Sequence, residues 1–149
     1  MLDKNTLLFI TEADTVELLK WPDVIACLAT AYAAADEPAA VPPRVVARRD
    51  GAWLRVLAAM PAGRLMGAKI IARARTPQLS YLMPLWDRET AELVCLLDAK
   101  YITGMRTAGT TAMAADRILP PGPLRVAVLG SSHEAQAHAR AIAAVRPIT

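Results

Sequence analysis

No apolar run in this sequence approaches the ~18 residues that crossing a bilayer demands. Residues 7–10 are the only apolar stretch near the N-terminus. Asp3 and Glu12 flank it, so it is too short and too acidic for a secretory signal. Cysteine is scarce: Cys27 and Cys95 are too few for a disulfide framework, and each reads as a small buried hydrophobe. His133 and His138 are five positions apart, off any common helical face, with no cysteine or carboxylate cluster beside them, so no metal site is expected. No serine sits in a nucleophile elbow. No internal repeat or low-complexity tract is visible. What remains is a globular chain with no membrane partner and the cytoplasm as its default compartment.

The chain has 149 residues, of which 54% are hydrophobic and 21% charged, which excludes disorder and gives a prior of one domain. Alanine is about a fifth of the sequence, which suits closely packed helices. The net charge of +3 hides an asymmetry. Residues 1–43 carry two basic and seven acidic side chains; residues 44–149 carry fifteen basic and seven acidic. Eight cations (Arg44, Arg48, Arg49, Arg55, Arg64, Lys69, Arg73, Arg75) face Asp50 alone between positions 44 and 75. Such a field attracts anions. Only Trp53 interleaves an aromatic there and no nucleic-acid motif appears, so a small anion is expected rather than RNA or DNA.

The punctuation predicts an α/β chain. Thr11-Glu12-Ala13-Asp14 resembles a capping box with aspartate in the glutamate's place, opening a short helix. Pro22 suits the first turn of a second helix running to about Ala35 and lying on a sheet. Asp50-Gly51 between Val45–Arg49 and residues 53–58 signals a hairpin. Residues 65–74 read as a strand in which Gly67 permits a bulge or close backbone approach. Residues 79–86 and 93–97 read as a second hairpin, with Asp87, Glu89 and Asp98 as turn and strand-end residues. Thr103 is placed as the cap of an alanine-rich helix to about Leu119, and Pro120-Pro121-Gly122-Pro123 as a linker. Residues 125–130 then read as a strand buried on both faces, followed by a helix to about Val145.

Two constellations carry chemistry. Gly130-Ser131-Ser132-His133-Glu134-Ala135 matches a dinucleotide-binding turn, G-x-G-x-x-G/A, at its first and third positions. Gly130 permits the tight turn and Ala135 close helix–strand packing. Ser132 replaces the glycine that admits a pyrophosphate, yet the helix N-terminus still offers amides to a phosphate. The second constellation is cationic: Arg44 at the start of one strand, Lys69 inside another, and Arg106 in the first turn of a helix. A cation there opposes the helix dipole and is better tolerated beside an anion. Arginine suits bidentate carboxylate or phosphate binding. On spacing alone the favoured reading is ordinary surface arginines and a snorkelling Lys69.

In order along the chain come Pro42-Pro43-Arg44, Met60-Pro61-Ala62, Gly67-Ala68-Lys69, Leu85-Trp86-Asp87-Arg88-Glu89-Thr90, Leu97-Asp98-Ala99, Ile102-Thr103, Arg106-Thr107-Ala108, Val128-Leu129-Gly130 and Ala135-Gln136-Ala137-His138. This succession resembles the ornithine cyclodeaminase/mu-crystallin family across nearly the whole chain. The resemblance implies a mixed-sheet substrate and dimerisation domain over residues 1–119, a linker at 120–123, and the first βα unit of a Rossmann NAD or NADP domain over 124–149. It implies a homodimer acting on a small amino or imino acid, by hydride exchange between nicotinamide and the α-carbon. Arg44, Lys69 and Arg106 would surround the substrate carboxylate, with Lys69 also handling a proton. Arg106, Thr107, Gly130, Ser131, Ser132, His133, Glu134 and Ala135 would serve the cofactor. Two departures stand out: Ser132 for glycine, and Glu134 where the family often has glutamine. The family's adenosine-ribose carboxylate and its cyclodeaminase aspartate would fall beyond Thr149. The alternative expectation is therefore a non-catalytic homologue that dimerises or binds a ligand.

Overall fold

The computed structural model describes residues 7–34 and 37–149, which pack as two compact units. One unit gathers the described residues of Met1–Thr15 and Ala35–Lys100; the other gathers Val16–Ala34 and Tyr101–Thr149.

The first unit is a six-stranded sheet among the described residues: β1 (Leu8–Ile10), β2 (Val45–Arg49), β3 (Ala52–Ala59), β4 (Leu65–Arg73), β5 (Leu79–Asp87) and β6 (Leu93–Asp98). Their spatial order is β1-β6-β5-β4-β3-β2. β2 to β6 form an antiparallel meander, and β1 joins β6 in parallel, so the sheet is mixed as expected. The β2–β3 hairpin follows from its turn: Asp50 (φ 51) and Gly51 (φ 82) both take positive φ, as a two-residue primed turn demands. β1 was not expected. Three residues are too few to display a period-2 pattern, and its partner lies far away in sequence.

The β5–β6 turn is organised by Asp87, which is 4% exposed. Its Oδ1 accepts from the Glu89 amide (2.9 Å) and the Thr90 amide (3.1 Å), and its Oδ2 accepts from Arg64 Nε. The Arg64 guanidinium, seconded by those amides, holds the carboxyl at about 2. The unfolded value is about 3.9. The folded value is the lower, so the stabilisation is complete above about pH 4 and is lost as pH falls through about 2. Urea melts between about pH 5 and pH 2 are expected to show Asp87→Asn losing this part of the acid sensitivity. Equal slopes in the two proteins would contradict it.

The helices are α1 (Glu12–Leu18), which straddles the boundary between the units, α2 (Trp21–Ala33), α3 (Lys100–Ile118) and α4 (His133–Val145). The predicted capping box forms: Thr11 donates its amide (2.8 Å) and hydroxyl (2.7 Å) to Asp14 Oδ2, and the Asp14 amide donates back to Thr11 Oγ1 (3.2 Å). Pro22 lies in the first turn of α2 as expected; the anticipated end at Ala35 lies outside the described residues. Ala108 and Ala112 of α3 and Ala137 and Ala141 of α4 form a buried alanine seam. Trp21 and Ile25 of α2 and Ile142 and Val145 of α4 pack against it. Gly109 lets α2 approach, since a Cβ there would lie 2.9 Å from Leu28 Cδ1. Cys95 is buried as expected, and burial pushes its thiol up. Cys27 departs from the expected burial: it is exposed on α2, because it lies beside rather than within the face made by Val24, Ile25 and Leu28.

Three further expectations are corrected. α3 begins at Lys100, so Thr103 is inside the helix and not its cap; Asp98 Oδ1 accepts from the Lys100 amide (3.0 Å) and organises the start instead. Arg106 therefore sits in the second turn, and the first-turn dipole argument does not apply to it. Residues 125–130 form no strand. Among the described residues an isolated parallel bridge, Leu124 with Ile148, lies just before this stretch, and Leu129 is 98% exposed. A parallel strand is held by neighbours, and this stretch has no ladder partner among the described residues.

Candidate functional site

Strand register determines which side chains share a face, because directly opposed residues project the same way. Leu57 of β3 opposes Lys69 of β4, and Val45 of β2 opposes Val56. Lys69 and Leu57 thus share one face of the sheet, and Arg44 directly precedes β2, the strand that pairs with β3 on its other side. Arg44 is exposed and Lys69 half-buried. The start of β2 is held in place from behind, where a single 3-10 turn, Pro38–Ala40, accepts the Met60 amide through the Ala40 carbonyl (2.8 Å).

The same face continues along the strands. One row on lie Val46, Arg55, Ile71 and Tyr81; the next holds Arg48, Trp53, Arg73 and Leu79. No carboxylate of β2, β3 or β4 stands on it. Asp50, in the hairpin turn, pairs instead with Arg49 (3.7 Å) and Arg75 (3.5 Å). A sheet face carrying Arg48, Arg55, Lys69 and Arg73 is positive, which suits a small anion.

The opposite face bears a cavity of about 290 Å³, lined by Ala58, Met60, Met66, Ala68, Trp86 and Pro42, among others. Ala68 and Lys69 are adjacent, so their side chains diverge to opposite faces. The cavity has no charged lining residue.

In the second unit, Gly130 takes φ +104, the backbone freedom the turn expectation required, and a Cβ there would meet nothing within 4 Å. Ser132 is the N-cap of α4: its Oγ accepts from the Ala135 amide (3.2 Å). One donor of the helix end is thereby taken by the chain's own side chain. Gln136 Nε2 donates to the Ser131 carbonyl (3.2 Å). Gly130, Ser131, Ser132, His133 and Glu134 are all exposed, and Ala135 is half-buried. The turn rests on α3 at Gly104, where a Cβ would come 3.5 Å from His133 Cε1 and 3.7 Å from Glu134 Oε1. Thr107, one turn on from Gly104, shares that helix face. Its hydroxyl donates to the Thr103 carbonyl (2.8 Å). Arg106 is exposed and two residues from Gly104, well round the helix from the turn.

The structure therefore places Arg44 with Lys69 in one unit, and Thr107 with residues 130–135 in the other. The open side of Gly130 leaves room beside the turn for a phosphate, while the Ala135 amide is already taken by Ser132. Among the described residues no group of three or more His, Cys, Asp and Glu is placed to hold a metal ion, and no helix is long and apolar enough to cross a membrane. Sequence reading named Arg55 only as one cation in a field. Its place on the same face as Lys69 shows only once the β3–β4 register is known.

Comparison with known proteins gives these motifs a context. The chain is 29% identical over 143 residues to a Delta(1)-pyrroline-2-carboxylate reductase 2 of Burkholderia ambifaria, covering 91% of this chain and 46% of that protein. The Thermococcus litoralis Delta(1)-pyrroline-2-carboxylate reductase, solved with NADH and L-proline, superposes with a TM-score of 0.81 at 18% identity, over 95% of this chain and 47% of that one. An archaeal alanine dehydrogenase dimer with bound NAD superposes with a TM-score of 0.81 at 22% identity, over 95% and 46%. The chain thus spans just under half the length of these relatives, and the structural matches establish the shared α/β fold. Residues 6–149 match the ornithine cyclodeaminase/mu-crystallin family, and the chain belongs to that family.

Proposed function

We propose that this chain supplies the carboxylate-binding face of an NAD(P)-dependent enzyme acting at the α-carbon of a small amino or imino acid. The observation that supports the reading is the cationic face of β2 to β4, which carries Arg48, Arg55, Lys69 and Arg73, with Arg44 directly preceding β2. A guanidinium and an ammonium so placed hold one carboxylate by charge-assisted hydrogen bonds. Holding the carboxylate fixes the adjacent α-carbon, a positioning effect. Lys69 is also the group proposed to hold or deliver a proton at the substrate nitrogen.

When bound, the nicotinamide cofactor supplies the redox step. Thr107 and the turn Gly130-Ser131-Ser132-His133-Glu134-Ala135 are the residues proposed to hold its phosphates. Arg106, on a different side of α3, is assigned by family resemblance to the substrate carboxylate and the cofactor phosphates. In this reading residues 1–119 serve substrate and dimerisation, 120–123 link, and 124–149 open the cofactor domain of a cytoplasmic homodimer.

The test is an equilibrium titration with L-proline. Lys69→Ala and Arg44→Ala are each expected to weaken binding about 10- to 100-fold, the loss of one or two hydrogen bonds to a charged group. Unaltered affinity in both variants would remove the reading.

The weakly tethered stretch 125–130 favours a second reading, a ligand-binding homologue without catalysis. Titration of NADH and NADPH fluorescence with the protein separates the two. Saturable binding supports the enzyme, and no binding up to millimolar cofactor supports the alternative.

A further inference from the structure

At the hairpin end of the sheet, register sets two exposed arginines on either side of one indole. Arg48 of β2 is directly opposite Trp53 of β3, and Trp53 is directly opposite Arg73 of β4. Directly opposed residues project the same way, so the three side chains stand in one row on one face. Neighbouring strands lie about 4.8 Å apart, which sets the two arginine backbones about 10 Å apart with the indole between them. Arg48 and Arg73 are exposed, and Trp53 is half-buried.

Neither of the two arginines has an ion pair among the described residues. The carboxylate of the hairpin turn, Asp50, pairs instead with Arg49 (3.7 Å) and Arg75 (3.5 Å). A further cation stands over the ring itself: Arg55 Cζ lies 4.8 Å from the centre of the Trp53 ring. That cation–π contact steadies the indole and adds the charge of Arg55 to the site. Like charges held this close repel one another, and an anion among them relieves the repulsion. The flexible stems of Arg48 and Arg73 let both guanidinium heads reach inward over the row. Guanidinium forks match phosphate oxygens bidentately, and the exposed part of an indole receives a flat ring. A nucleic acid would call for further rings to stack successive bases, and this row has one.

We propose that Arg48, Trp53 and Arg73 form a second anion site, which takes a small aromatic phosphate ester. Arg48 and Arg73 hold the phosphate, and Trp53 receives the ring. Arg73 and Lys69 are four residues apart on β4, about 13 Å of strand, so the two positions serve different small ligands. The site does not rest on the carboxylate-face reading above.

The probe is phenyl phosphate, titrated calorimetrically into the full chain, with inorganic phosphate as its ringless counterpart. Wild type is expected to bind phenyl phosphate about five- to ten-fold more tightly than phosphate, the effect of one ring stack. Arg48→Gln and Arg73→Gln should each weaken both ligands about ten-fold, the loss of one charge-assisted hydrogen bond. Trp53→Leu should bring the ratio of the two affinities close to one. Lys69→Ala should leave both affinities within about two-fold, as separate sites do. Absence of saturable phenyl phosphate binding to wild type, or affinity that both arginine variants leave unaltered, overturns the site. Affinity that falls with Lys69→Ala and not with the arginine variants also overturns it, and places the phosphate on the carboxylate face. A ratio that survives Trp53→Leu overturns the aromatic ligand class. An oligothymidylate that binds more than about a hundred-fold tighter than phenyl phosphate overturns the small ligand in favour of a nucleic acid. Far-UV circular dichroism checks the fold of each variant. Arg48 and Arg73 are exposed, so their variants carry the test if Trp53→Leu fails to fold.

Discussion

Arg146→Ala is expected to lower the stability of the folded chain by about 2–4 kcal/mol, a fall in melting temperature of about 6–12 °C for a protein of this size. Arg146 follows α4, and its side chain is only 15% exposed. Its Nε donates to Asp116 Oδ1. One terminal nitrogen donates to the carbonyls of Pro120 (3.0 Å) and Gly122 (3.2 Å), the other to the carbonyl of Asp116 (2.9 Å). Asp116 is in the last turn of α3, where carbonyls have no helical partner. Pro120 and Gly122 belong to a segment with no ladder of its own. One guanidinium therefore satisfies three carbonyls and a carboxylate. Truncation leaves these acceptors competing for water at a partly buried site. Arg146→Lys should recover less than half of the loss, because an ammonium cannot present several donors in a planar fork. Thermal melts of the three proteins decide the matter. A melting temperature for Arg146→Ala within about 2 °C of wild type would show that water replaces the guanidinium without cost.

The contrast between Arg146 and the capping box at Thr11 marks what could be read before the structure. Thr11 and Asp14 are three residues apart, and their reciprocal bonds follow from helix geometry, so the sequence displays them. The Asp50-Gly51 hairpin is legible for the same reason: two adjacent positive φ values leave few residue choices. Arg146 acts across about 30 residues of chain, and nothing near it announces Asp116 or Gly122. The cationic face lies between these cases. Alternation along β3 puts Trp53, Arg55 and Leu57 on one side, yet only the β3–β4 register reveals that Lys69 is there too. Residues 125–130 show the opposite failure. Their β-branched and apolar content is that of a strand, but a parallel strand exists only with its neighbours. The start of α3 was misplaced because Thr103 resembles a cap, whereas Asp98 had already fixed the turn.

Gly67→Val should destabilise the chain by about 2–3 kcal/mol, although strand propensity argues for valine. Loss of glycine's freedom in the unfolded chain would by itself stabilise by about 0.4–1 kcal/mol. Sterics reverse the sign. A Cβ at Gly67 would lie 2.8 Å from the Pro84 carbonyl oxygen and 2.6 Å from Leu85 Cδ2. A leucine methyl can swing aside, but a backbone carbonyl in the adjoining strand cannot move without displacing β5. Gly109 serves as the comparison: there the nearest obstacle to a Cβ is Leu28 Cδ1 at 2.9 Å, the far end of a flexible side chain, so Gly109→Ala should cost less than Gly67→Ala. Gly67 also lies two residues before Lys69 on β4, so a displaced strand pair shifts Lys69 relative to Arg44. Gly67→Val should therefore weaken L-proline binding as well as stability, whereas Gly109→Ala should not touch that affinity. Denaturant titration and ligand titration on the same samples separate the two effects. Stability equal to wild type in Gly67→Val would mean that the β4–β5 spacing yields more easily than a hydrogen-bonded ladder should.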